Sequence, residues 1–298
     1  MADPPVVLGA LDPDVPVPFG RDSVVRAVVA EPVTALLVQR ALVLEVAHPK
    51  VAAGVSQHST FQRRPWSRAA VTADAALRLV FGDDATARAA VAQIYRVHDG
   101  INGPVGVPVA DAGTDARDTY SAHDAALLAW VWATLVDTAE TAYTRWVRPL
   151  SPAEADAFYG EMRAFGRFFG IAGHLLPEDR AAFAAYMEDT LAEESFASGA
   201  LSRSLARDVL WFSHWSVPAP LVRVERALAL ATLDRRVLER LRIRPSPAEL
   251  EDARRLERVL AHYRRLPRAP RVMPSLYVRL RALTAGLVDS AQAWRAPR

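Results

Sequence analysis

ALVLEVAHPKVAAGVSQHSTFQRRPWSRAAVTADAALRLVFG (residues 41–82), continued by DDATARAAVAQIYRVHDGING (residues 83–103), decides how this chain folds. In the second part Ala87, Val91, Ile94, His98 and Ile101 recur at steps of three and four, which lays them on one face of a helix. The face is apolar apart from His98, so its imidazole is expected to point into the interior. Alternating strand-like runs bounded by turn residues are scarce along the chain.

Working outward, helix starts dominate. Ser151-Pro152-Ala153-Glu154 and Ser246-Pro247-Ala248-Glu249 are capping boxes with proline at the first helical position. Ser121-Ala122-His123-Asp124 is a weaker start, and Pro177-Glu178-Asp179 opens another helix. Alanine, leucine and arginine, all good helix formers, fill the segments that follow. Helices are expected at about 24–30, 32–47, 66–81, 84–100, 122–146, 152–170, 178–197, 201–214, 219–241, 247–265 and 275–292. Residues 100–119 read as a loop. His48-Pro49 ends a helix, because proline disfavours helical geometry in the residue before it, and His58 falls in a polar turn. The expectation is an all-α protein: one globular domain of about ten helices over residues 23–298, behind an extended arm over 1–22.

Composition narrows the chemistry. Of 298 residues 51% are apolar and 23% charged, ample for a core. With no cysteine there are no disulfides, thiolate ligands or thiol nucleophiles, and histidine is left as the natural axial ligand for a haem iron. The proline-rich, acidic start lacks the form of a signal peptide. The longest apolar run, residues 125–136, is too short to span a bilayer, which takes about 20 residues. A cytoplasmic protein without a membrane span is therefore expected. Net charge is +2 but uneven: residues 234–298 carry 16 arginines against 7 carboxylates, leaving −7 elsewhere. These arginines are expected to pair with Glu249, Glu251, Asp252 and Glu257 on solvated helices. No nucleic-acid-binding motif is present.

Four of seven histidines (His48, His58, His98, His123) lie in or just beyond the opening stretch. A buried neutral imidazole at His98 can ligate iron through one nitrogen while a hydrogen bond holds the other; a core histidine bonded to a carbonyl is the plainer alternative. Arg68 and Thr72 stand at i and i+4 on one helix face, where the guanidinium can grip a carboxylate and the hydroxyl a ligand. A non-haem site from His48, His58 and His98 would lack any HExxH or Glu-x-x-His pattern. Glu45 can face inward as a base or stay solvated. Gly166, Gly170 and Gly173 suit close helix packing, and Trp130, Trp132, Trp211 and Trp215 suit the core. No GxSxG, P-loop or dinucleotide fingerprint occurs.

Taken together, LEVAHPKVAAGVSQHSTF, the Arg68–Thr72 pair, LVFG at residues 79–82, YRVHDGING and YSAHDAALLAWVW resemble the rubber oxygenase (latex-clearing protein) and MpaB-type oxygenase family over about residues 33–220. The resemblance implies an all-α fold enclosing a haem b pocket. It implies His98 as the ligand to the haem iron, with Arg68 and Thr72 as cofactor-binding and catalytic neighbours. It further implies an oxidoreductase acting with dioxygen or peroxide, with an electron donor where the chemistry needs one. Trp132 stands where a histidine is expected in the family's Trp-Val-His. With no secretion signal, a small apolar intracellular substrate fits better than extracellular polymer. The rival expectation is a helical haem- or ligand-binding sensor without turnover.

Overall fold

The computed structural model describes residues 16–59, 65–106, 117–193 and 196–263, with residues 65–70 as backbone only. The arm's residues 1–15 and the expected helix at 275–292 lie outside them. Among the described residues the chain is mostly helical: α1 (Val24–Val29), α2 (Val38–Ala47), α3 (Pro49–His58), α4 (Pro65–Phe81), α5 (Asp84–His98), α6 (Ala125–Trp146), α7 (Pro152–Phe168), α8 (Arg180–Ala192), α9 (Ala200–Leu210), α10 (Ala219–Thr232), α11 (Arg235–Arg240) and α12 (Pro247–Tyr263). A two-stranded antiparallel hairpin, β1 (Asn102–Pro104) with β2 (Thr119–Ser121), pairs Gly103 with Tyr120.

Local chemistry explains most boundaries. Ser151 and Glu154 close a reciprocal capping box on α7, and Ser246 with Glu249 does the same on α12. Asp179 caps α8. Four expectations need correction. Pro49 begins α3 rather than opening a loop, because proline is favoured at the first helical position and His48 serves as N-cap; His58 therefore ends a helix. The start of α6 is capped by Asp124, whose Oδ1 accepts from Ala126 N at 2.9 Å, while Ser121 belongs to β2. Residues 32–37 form a 3-10 turn ahead of α2. The expected helix over 219–241 breaks at Leu233–Asp234, where Asp234 caps α11.

α2 sits at the centre, packed by α3, α6, α9 and α10. It buries Val43, Leu44, Val46 and Ala47, and α6 answers with Trp130, Trp132 and Val136. Two of the buried indoles of α6 are satisfied: Trp130 Nε1 donates to Leu44 O at 3.1 Å and Trp132 Nε1 to Met162 O at 2.7 Å. Trp211 and Trp215 are not core residues, being 40% and 93% exposed. Gly166 does allow close packing, against Leu176 and the Trp132 ring, whereas Gly173 has open space beside it. The carboxylates of α12 are paired, but only Glu251 takes its arginines (Arg254, Arg255 and Arg258) from the basic region as expected. Three partners come from outside it: Arg223 meets Asp252, Arg226 meets Glu249 and Arg145 meets Glu257.

The short α1 is pinned by one carboxylate from α7. Glu161 accepts from Ser23 Oγ at 2.6 Å, Val24 N at 3.1 Å and Val25 N at 2.9 Å, satisfying donors that a helix start leaves open. Hydrogen bonds to a charged acceptor contribute about 1.5–3 kcal/mol. Glu161→Ala is accordingly expected to cost about 2 kcal/mol, read as a lowered urea midpoint at unchanged slope. A loss under about 0.5 kcal/mol would show that water replaces the carboxylate at no cost.

Candidate functional site

α4 and α5 form a helical hairpin through Gly82, where any Cβ would strike the Arg78 carbonyl and Thr86. Asp83 caps α5 by accepting from Thr86 N at 2.8 Å. Arg78 Nη1 donates to Gln93 Oε1 at 2.8 Å across the pair. The helices run back antiparallel, so residues 68–72 of α4, about 15–21 Å from the corner, lie toward the same end as His98 of α5, about 24 Å from it. Thr72 is exposed there. The Arg68 side chain lies outside the described residues.

The buried face of α5 is Ala87, Ala90, Val91 and Tyr95, with Ile94 and His98 half-buried at its flank. Tyr95 therefore sits deeper than the expected line through Ile94 and His98. The Tyr95 hydroxyl donates to Phe169 O, and burial raises its pKa above the usual tyrosine value. Gly170 follows at φ +90, and a Cβ there would collide with the same hydroxyl.

Around Tyr95 the structure gathers aromatic and imidazole rings. Its centroid lies 6.2 Å from His98, 5.2 Å from His123 and 5.3 Å from Phe169. His98 and His123 meet edge to face at 5.9 Å and 69°. His123 Nε2 is 2.9 Å from Asp99 Oδ1, the residue after His98. Backbone bonds from Ile101 N to His98 O and from Ala122 N to Ile101 O, each 2.8 Å, tie the turn before α6 to the end of α5. Both Nδ1 atoms are buried, and that of His123 has no hydrogen-bond partner among the described residues.

The sequence groups His123 with the other histidines but assigns it no place beside His98. It lies 25 positions beyond His98 with a hairpin between, so no helical period links the two. The other histidines are not brought here. His48 Nδ1 accepts from Lys50 N at 3.3 Å as the cap of α3, and burial, aided by Lys50 and opposed by Asp124, pushes its pKa down to about 4. His58 Nε2 lies 3.0 Å from the Tyr120 hydroxyl, which itself donates to Gln57 Oε1 at 2.9 Å and joins α3 to the hairpin. Glu45 is half-buried on α2. Among the described residues no three His, Asp or Glu side chains converge as a metal-ligand set.

Comparison with known proteins joins this geometry to a family. The model of the catalytic domain of the ER-bound oxygenases mpaB/B' and rubber oxygenase matches residues 26–287. The chain belongs to this oxygenase family. The match takes in α4, α5, the hairpin and the His98–His123 cluster, and extends through α12. No curated protein and no solved structure was found to match the chain. At Trp132 this member of the oxygenase family places a buried indole whose nitrogen is spent on Met162 O, so the position offers no metal ligand. Among the described residues no helix is long and apolar enough to cross a membrane.

Proposed function

We propose that the chain is a haem b-dependent oxygenase that binds the haem iron through His98 and acts on a small apolar substrate. The observation that carries this reading is the cluster at the end of α5. There, two imidazoles with buried Nδ1 atoms meet inside an aromatic setting, in a chain of the oxygenase family. The residues fit the group chemically. With no cysteine in the chain, imidazole is the suitable axial donor, and Tyr95, Phe169 and Ile94 supply the apolar surroundings that a porphyrin face prefers.

Bound haem would supply activation of dioxygen, or of peroxide, toward the substrate. The chain's part is positioning. His98, fixed at the last turn of α5, holds the iron. Asp99 orients His123 through Nε2, leaving the buried Nδ1 edge for a ligand or a hydrogen bond. Arg68 and Thr72, on α4, would take the cofactor's polar groups: a guanidinium suits a propionate and a hydroxyl a polar neighbour.

Absorption spectra of the oxidised and reduced protein, beside His98→Ala, test the reading. The wild type should show a Soret band that the substitution abolishes or shifts, with folding by circular dichroism unchanged. Oxygen uptake with apolar substrates should accompany the band. Full haem retention in His98→Ala would remove the ligand assignment, and a wild type that stays colourless after reconstitution would remove the haem. A haem-bearing protein with no turnover would make it a sensor.

A further inference from the structure

From the end of α9 into the first turn of α10 runs VLWFSHWSVPAPLV (residues 209–222), fourteen residues without one Asp, Glu, Lys or Arg. Three of its large apolar side chains are displayed, Trp215 at 93% exposed, Trp211 at 40% and Leu221 at 37%, while Val209, Leu210 and Val222 at its ends are buried. Ring contacts and hydrogen bonds shape the display. The Phe212 and His214 rings are parallel within 7° with 6.4 Å between centroids, and Trp215 lies tilted at 32° with its centroid 5.6 Å from His214. His214 Nδ1 lies 2.7 Å from Ser216 Oγ and accepts from Ser216 N at 3.2 Å, while Val217 N donates to His214 O at 2.9 Å. A protruding indole held in place loses little freedom when it is covered.

Charge stands beside it. Arg203, Arg207 and Trp211 follow at steps of four along α9, which puts both guanidinium groups on the helix face that ends at the loop. Arg207 Nη2 donates to the carbonyl of Arg242, an exposed residue at φ +55. Together with Ser204 and Asp208, these three arginines line an open groove of about 400 Å³.

We infer that residues 209–222 seat the protein on an anionic lipid bilayer, with Trp215 at the interface and Arg203, Arg207 and Arg242 on headgroup phosphates. Indoles favour the zone between headgroups and acyl chains, where the ring is apolar and the N–H stays wet. Basic groups next to such an anchor match the anionic surface. A second protein fits less well. A stable protein interface buries roughly 800 Å² on each partner. One indole with slices of Trp211 and Leu221 offers roughly 300–400 Å². Fourteen residues are fewer than the about 20 a spanning helix takes, so the contact made by residues 209–222 is peripheral.

Flotation of the full chain with phosphatidylcholine vesicles, with and without about 30% phosphatidylglycerol, tests this. The wild type should float with the anionic vesicles, more weakly with neutral ones, and less at about 0.5 M salt. Trp215→Ala, at a site too exposed to affect folding, should lower the affinity about tenfold, and Trp215→Phe should recover most of it. Arg207→Gln should weaken binding to anionic vesicles only. A wild type that does not float overturns the inference. So does a Trp215→Ala variant that binds like wild type, which would place the lipid contact elsewhere. Light scattering that shows a wild-type dimer broken by Trp215→Ala, with lipid binding unchanged, would make the occupant a second copy of the chain.

Discussion

Arg40→Ala is expected to destabilise the fold by about 3 kcal/mol, within the range for losing one partner of a buried ion pair. Arg40 is a charged residue of the central helix, 7% exposed, and its donors reach two other helices, two contacts going to α6 and one to α10. Nη2 lies 2.6 Å from Asp137 Oδ2, Nη1 donates to Thr138 Oγ1 at 2.8 Å and Nε donates to Thr232 O at 3.2 Å. α2, α6 and α10 are thereby joined at one guanidinium. The contact to Oδ2 is poorly directed for a hydrogen bond, so its attraction is chiefly Coulombic. Asp137, only 27% exposed, would be left without its counter-charge. The paired replacement Arg40→Met with Asp137→Leu removes both desolvated charges and should recover at least half of the loss. Urea unfolding of the wild type, the two single variants and the double variant measures the cycle. A single-variant loss below about 1 kcal/mol would mean that water in the adjoining cleft screens Asp137 well enough to replace the arginine.

This pair also marks what a one-dimensional reading can reach. The helical class was legible because its signals are local: a serine before proline and glutamate, an aspartate three residues ahead of an apolar run. The third helix was missed for a local reason too. Pro49 is both a stop for α2 and a start for α3, and only the turn of the chain at His48 decides between them. Asp234 likewise read as one more polar residue of a long helix, when its carboxylate caps a new one. His98 was legible from its period, its depth was not; Tyr95 occupies the buried centre because α5 turns that face toward Phe169. His123 and Asp99 meet only after the hairpin folds back, a contact that spacing cannot carry. Trp130 and Trp215 are alike as letters in apolar runs. One sits at the centre of α6 and the other on a connection between helices, and only tertiary packing separates a core indole from a displayed one.

The pH dependence of stability is expected to be nearly flat from about pH 4.5 to 6.5, and to gain a slope of either sign when one of two buried groups is replaced. His48 is held at about 4 by burial, below its unfolded value of 6.5. A lowered histidine stabilises the fold above pH 6.5, and that contribution is lost as pH falls through 4. Glu225 on α10 is pushed the other way, up to about 7 by burial, with the Gln39 amide opposing only in part. A raised carboxyl stabilises the fold below its unfolded value of 4.5, and that contribution is lost as pH rises through 7. Each shift corresponds to about 3 kcal/mol at 1.36 kcal/mol per unit. Over the shared window one group gains what the other loses. His48→Asn keeps a side-chain oxygen to cap α3, so it should fold; stability should then fall by about 3 kcal/mol between pH 4.5 and 7. Glu225→Gln leaves His48 alone, so stability should rise by about 3 kcal/mol from pH 4 to 6.5. It should also exceed the wild type at pH 8, because a neutral amide carries no desolvated charge and can donate to the buried Gln39 Oε1, which has no partner among the described residues. Denaturant midpoints of the three proteins across pH 4–8 decide the matter. Parallel curves would mean that neither burial survives in solution, and a slope in the wild type equal to that of one variant would identify the group that titrates normally.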